Sequence, residues 1–225
     1  MGLDWRVAAK ASPGHEDEVD HLRASLIGAR GDDRKKLVDR FRELTVPAYV
    51  ALGAPVIGRD PSADAWLLEQ YRARSGSPSQ ESEAHRPRSA VERGEIQRFA
   101  GYHVIQLLPE CDGFPVYSNA YMYASVDRTS FRAQFLQDCK SIIGEELLEI
   151  AYLHKSPDEL VKYGETLIDA ARNYAAEHNC VELEDQREPP KGDGISPSSC
   201  VHILFSAAKW CLYWGHRGYG LEPDF

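Results

Sequence analysis

The residues best suited to chemistry gather near the carboxyl end. From Cys200 to Trp214 nearly every position is apolar, and the exceptions are ordered. Ser199, His202, Ser206, Lys209, Tyr213 and His216 follow one another at intervals of 3, 4, 3, 4 and 3 residues. A helix repeats every 3.6 residues, so the six share one narrow stripe. A helix that is apolar on its other sides belongs in the middle of a fold. A polar stripe on it must meet water, polar partners or a pocket, because a buried polar group left unpaired costs about 1–3 kcal/mol. If it meets a pocket, His202, His216 and Tyr213 supply proton transfer and hydrogen bonding, and Lys209 pairs with an anionic ligand. Trp210 and Trp214, four residues apart, would then form an aromatic wall. The competing reading is a solvated helix edge with both tryptophans in the core.

Two loops are expected to border this helix. The segment from Cys111 to Asn119 is polar and turn-rich, with Asp112, Ser118 and Asn119 as candidate ligand contacts. Cys111 becomes a nucleophile there if a histidine lies beside it; otherwise the segment is an ordinary turn with incidental Cys, Asp and Ser. The segment Lys191-Gly-Asp-Gly-Ile-Ser-Pro-Ser-Ser199 leads into the helix, and Lys191 and its amides suit an anion. It lacks the order of a phosphate-binding P-loop, and a flexible loop ending in a cap explains it equally. Glu18 and His21 form one Glu-x-x-His step, which a di-iron bundle would need twice, so no metal or other cofactor is expected. Gly-x-Ser-x-Gly and Gly-x-Gly-x-x-Gly are both missing, which removes α/β-hydrolase and dinucleotide-binding readings.

The elements that must position these residues are mostly helical. Ser12-Pro13, Asp60-Pro61, Ser156-Pro157 and Ser196-Pro197 each set a capping oxygen before a proline, predicting helices over 13–28, 61–74, 157–178 and 197–214. Further helices are predicted over 32–44 and 128–152. In the latter, Phe131, Phe135, Cys139, Ile142, Ile143, Leu147 and Ile150 form an apolar stripe. Leu160, Gly164, Leu167, Ala171 and Ala175 form a stripe of mostly small residues, which predicts close packing of 157–178 on 128–152. Gly144 and Gly164 each cost about 1 kcal/mol in a helix, so a packing reason is expected for both. Strand signals are confined to Leu3, Trp5 and Val7, to 102–108 and to 116–126, the last two forming a hairpin. The fold class expected is mainly α with a minor β element, the C-terminal helix being central. One domain is expected over 1–225, with a mobile or disordered insertion at about 75–94, where Ser, Pro, Arg and Glu dominate.

Composition narrows the function classes. There are 26 Lys and Arg against 35 Asp and Glu, a net charge of −9, which argues against nucleic acid as a partner. Cys200–Trp214 is too short to span a bilayer, so no membrane partner is expected. The first ten residues carry no secretory pattern, and Arg6 stands where myristoylation wants Ser or Thr. Five cysteines at scattered spacing suit a reduced, cytoplasmic protein. The leading expectation is binding of a small polar or anionic ligand between the final helix and the 110–119 and 191–198 loops. Whether catalysis accompanies it is left open. The alternative is a non-enzymatic partner-binding protein of adaptor or inhibitor type, and small-residue helix faces also suit a homodimer.

Overall fold

The computed structural model describes residues 2–75, 89–108, 117, 129–192 and 194–224. The chain is mainly α with a minor β component. Its elements are β1 (Asp4–Val7), β2 (Lys10–Ala11), α1 (Glu16–Leu26), α2 (Gly31–Leu44), β3 (Thr45–Val46), α3 (Ala48–Ala51), α4 (Pro61–Ser75), α5 (Ala90–Arg98), α6 (Lys140–Ile150), α7 (Pro157–Glu177), α8 (Pro197–Gly215) and β4 (Leu221–Asp224). Among the described residues, two antiparallel pairs make up the sheet structure. β1 pairs with β4, with Trp5 opposite Pro223, and β2 pairs with β3.

The main core forms around α8. Val201, Leu204, Ala207, Ala208, Trp210, Cys211 and Trp214 are all buried completely. Trp5 of β1 sits among Phe131, Tyr163 and Trp210, at ring-centroid distances of 5.2, 5.8 and 5.6 Å. Its indole N–H donates to the Ala151 carbonyl at 2.9 Å. Two satellite cores lie apart from this one. Val19, Leu22 and Leu44 close the α1–α2 hairpin, while Ile57, Leu67, Ile96, Phe99 and Val104 join α4 to α5.

α7 and α8 start where the capping signals place them. Ser156 and Glu159 cap each other's backbone ahead of Pro157, and Ser196 and Ser199 do the same ahead of Pro197. The other two caps behave differently. α4 begins at Pro61, but the Asp60 carboxylate accepts from the Val56 amide at 2.6 Å. Ser12-Pro13 does not open α1: Gly14 has φ +84°, so these residues form a turn and the helix starts at Glu16.

The small-residue stripe of α7 packs on α8 and not, as the sequence suggested, mainly on the preceding segment. A Cβ on Gly164 would stand 2.9 Å from Cys211 Cβ and 3.1 Å from Leu212 Cγ. A Cβ on Gly215 would meet Val161 Cγ2 at 2.6 Å and the Pro157 carbonyl at 3.0 Å. The two helices are antiparallel and cross closely at both glycines.

The long helix expected over 128–152 is broken. Phe131 exchanges backbone hydrogen bonds with Trp5, 2.8 and 3.0 Å, and is therefore extended. A 3-10 turn follows over Ala133–Cys139, and within α6 Gly144 adopts φ +79°, ψ 170°. Gly144 is thus needed for its backbone and not for packing, since nothing lies within 4 Å of a Cβ there. The break shifts the apolar phase: Leu136 is buried, while Phe135 is 38% exposed.

The 102–108 stretch is not a strand either. His103 makes one bridge to Val56, and Ile105–Leu107 is a 3-10 turn. Its proposed hairpin partner, 116–126, lies outside the described residues apart from Tyr117. The end of the segment read as an insertion is ordered. Ser89 and Glu92 form a capping box for α5, and Arg72 of α4 pairs with Glu92. Residues 76–88 lie outside the described residues.

The close crossing sets a sign test for glycine replacement. Gly164→Ala should destabilise the protein by about 1–3 kcal/mol through overpacking, despite the better helix propensity of alanine. Gly94→Ala in α5 has open space around its Cβ and should stabilise by about 0.5–1 kcal/mol. Urea unfolding of the two variants checks both signs.

Candidate functional site

The six polar residues share one side of a buried helix and its end. Among the described residues, Ser199, His202, Lys209 and Tyr213 each meet a different neighbour. Ser199 belongs to the helix cap, its amide donating to Ser196 Oγ at 3.1 Å. His202 is fully buried, and Ser206 is 8% exposed. One ring nitrogen of His202, Nδ1, lies 2.9 Å from the Tyr117 hydroxyl, and the other, Nε2, lies 3.1 Å from the Gln186 carbonyl. A carbonyl can only accept, so Nε2 carries the proton and the Tyr117 hydroxyl donates to Nδ1. The imidazole is held neutral. Burial pushes its pKa below 6.5, with only partial compensation from the Gln186 and Arg187 backbone. Burial likewise lifts the Tyr117 phenol to about 12.

Further along, Lys209 Nζ donates to the Glu184 carbonyl. The guanidinium of Arg217 lies 3.7 Å from the centre of the Tyr213 ring, and Arg217 Nη1 donates to the Tyr213 carbonyl at 3.1 Å. Lys209 therefore fastens α8 to the Val181–Glu184 segment, and Tyr213 holds Arg217 just past the helix end. Trp210 and Trp214, considered as a ligand wall, are core residues, both fully buried. Trp210 Nε1 donates to the Thr129 carbonyl at 2.8 Å. Only His216, just past the last turn, is exposed. His202 and His216 are 14 positions apart, about 21 Å along a helix, so they cannot serve one small ligand together.

The two loops expected around the site fare differently. Cys111, Asp112, Ser118 and Asn119 lie outside the described residues. Tyr117, in their midst, reaches His202, and Gln186 does so from the 185–198 segment. Lys191 is exposed. Glu18 of the Glu-x-x-His step is engaged by Arg40 at 2.8 Å. Among the described residues, no group of three or more His, Cys, Asp and Glu is arranged to hold a metal ion. No helix among them is long and apolar enough to cross a membrane.

A concavity does open at the carboxyl end of α8. It is a groove of about 550 Å³ between that end and the first turns of α7. Asp158, Lys162 and Glu165 of α7 line one side, and Gly215, His216 and Gly218 the other. Gly218 at φ +77° is the left-handed residue that ends the helix. Neither the Lys162 nor the His216 side chain makes an ion pair or hydrogen bond among the described residues. Sequence reasoning found His216 but missed Lys162, because Lys162 lies on the polar face of an amphipathic helix, where lysine is the default residue.

No family model, no curated protein and no solved structure matches this chain.

The burial of His202 gives a pH test. The folded-state pKa of His202 lies below 6.5, so the unfolded chain takes up a proton first as the pH falls. Its contribution is intact above pH 6.5 and is lost below it. His154, also lowered by burial, acts in the same direction. The urea midpoint should fall between pH 7 and pH 5. His202→Gln should lower stability at pH 7 by about 1–3 kcal/mol and flatten that fall, leaving the part due to His154. An unchanged slope in the variant would show that His202 is not held neutral.

Proposed function

We propose that the protein binds a small polar ligand carrying an anionic group, in the groove between the carboxyl end of α8 and the amino end of α7. The observation that supports this reading is a concavity of about 550 Å³ with Lys162 and His216 on its two sides. An ammonium and an imidazole facing a shared space can take a carboxylate or phosphate from two directions. Asp158 and Glu165 on the same rim favour ligands that also bear an amino or hydroxyl group and disfavour bare polyanions. The buried polar residues further up α8 have partners within the protein and are not needed for this binding.

Amide NMR of the protein, titrated with inorganic phosphate, citrate and glutamate, tests the reading. At least one of these should shift the resonances of Lys162, His216 and Gly218. Lys162→Ala and His216→Ala should each weaken that binding about fivefold, the equivalent of ~1 kcal/mol for a solvent-exposed charge contact. Both substitutions are at exposed positions and should leave the urea midpoint within about 0.5 kcal/mol of wild type. If none of the three probes shifts these residues, or if shifts cluster around His202 instead, the groove is not the site.

A further inference from the structure

Cys139 and Cys200 are 61 positions apart in sequence and meet in the core. Cys139 ends the 3-10 turn ahead of α6, and Cys200 lies in the first turn of α8. The Cys139 thiol points at the Cys200 carbonyl, 3.5 Å away, and the Cys200 thiol at the Asp138 carbonyl, also 3.5 Å. Each sulfur thus lies against the other cysteine's stretch of backbone. We infer that Cys139 and Cys200 are a modification site, a thiol pair that a peroxide converts to an internal disulfide joining the start of α6 to the start of α8.

The two sulfurs are not equivalent. Cys200 sits at the amino end of a helix, where a negative charge is stabilised. Cys139 has no exposed surface, whereas Cys200 retains 5%. Cys200 is therefore the sulfur that attacks. Its thiolate displaces one peroxide oxygen, giving the sulfenic acid and releasing the other oxygen as water or an alcohol. The Cys139 sulfur then attacks the Cys200 sulfur, forms the S–S bond and expels the hydroxyl as water. The two thiols lose two protons and two electrons in all, and the peroxide is reduced by those two electrons. Burial lifts both thiols, so the reaction is slow at neutral pH and speeds up about tenfold per pH unit as the thiolate becomes populated.

The other two described cysteines are placed differently. Cys211 faces the α7 crossing at Gly164, and Cys180 follows the end of α7, its amide bonded to the Ala175 carbonyl. The inference rests on neither the groove nor its ligand.

The test uses the wild-type chain treated with hydrogen peroxide, alkylated, digested without reductant and mapped by mass spectrometry. The expected product is a peptide pair linked through Cys139 and Cys200, 2 Da lighter than the sum of its reduced parts and restored by dithiothreitol. It should form about tenfold faster at pH 8 than at pH 7. Closing a loop of this length should raise the melting temperature of the oxidised protein by about 5–10 °C. In Cys139→Ser, Cys200 should stop at the sulfenic acid, trapped by dimedone; in Cys200→Ser, Cys139 should stay reduced. The wild-type mapping decides the matter even if neither variant folds. Linkage through other cysteines, or both thiols remaining free under peroxide that oxidises the urea-unfolded chain, overturns the inference.

Discussion

The close contact of α7 with α8 at Gly164 and Gly215 is the constraint on which the rest of the molecule depends. Both glycines stand where any side chain would overlap the partner helix. With the axes this near, α8 is enclosed by α7 on one side and by Trp5, Phe131 and the 3-10 turn at Ala133–Cys139 on the other. Trp5 completes this wall only because β1 pairs with β4, which follows α8 closely in the chain. The corner between α6 and α7 is tied to the same strand. Lys155 exchanges backbone hydrogen bonds with Leu221, and its buried ammonium donates to the Ile150 and Leu153 carbonyls at the end of α6. A side chain on Gly220 would overlap the Lys155 carbonyl, so that position too belongs to the same packing.

An enclosed helix gains from pairing the polar groups it carries, and three side chains of α8 bond to backbone of the segments around it. His202 uses the Gln186 carbonyl, Lys209 that of Glu184, and Trp210 that of Thr129. Val181–Asp185 and the residues after it would otherwise be a connection with little to anchor it; these bonds fix it across the helix. The polar stripe is thus a row of attachment points for loops. Such bonds are costly to break because they lie out of water.

Much of this was legible in the sequence, and the failures have definite causes. The capping boxes at Ser156 and Ser196 use local chemistry, so α7 and α8 could be located to within a residue or two. The polar stripe was read correctly as a stripe, because helical spacing determines it. Which neighbours it meets depends on residues distant in the chain: Tyr117 is 85 positions from His202, and spacing says nothing of such pairs. The break at Gly144 escaped notice because the residues around it keep helical periodicity, and a glycine at φ +79° looks the same in sequence as one in a helix. Ser89 and Glu92 did carry the signal for α5, but it was submerged in a polar segment. The Cys139–Cys200 approach left no trace, because neither cysteine belongs to a short motif.

The groove inherits its chemistry from two helix ends that are already satisfied. At α7 the Ser156–Glu159 box takes up the first amides. At α8 the amides of Arg217 and Tyr219 bond to the Trp214 carbonyl and that of Gly218 to the Gly215 carbonyl, so the last turn closes on itself. The helices are antiparallel, and the positive end of one dipole stands beside the negative end of the other, so their fields largely cancel there. The polarity of the groove consequently falls on its side chains, those of Asp158, Lys162, Glu165 and His216. The carboxylates of Asp158 and Glu165 share that rim with the Lys162 ammonium and the His216 ring, so the groove offers groups of both signs within one small space.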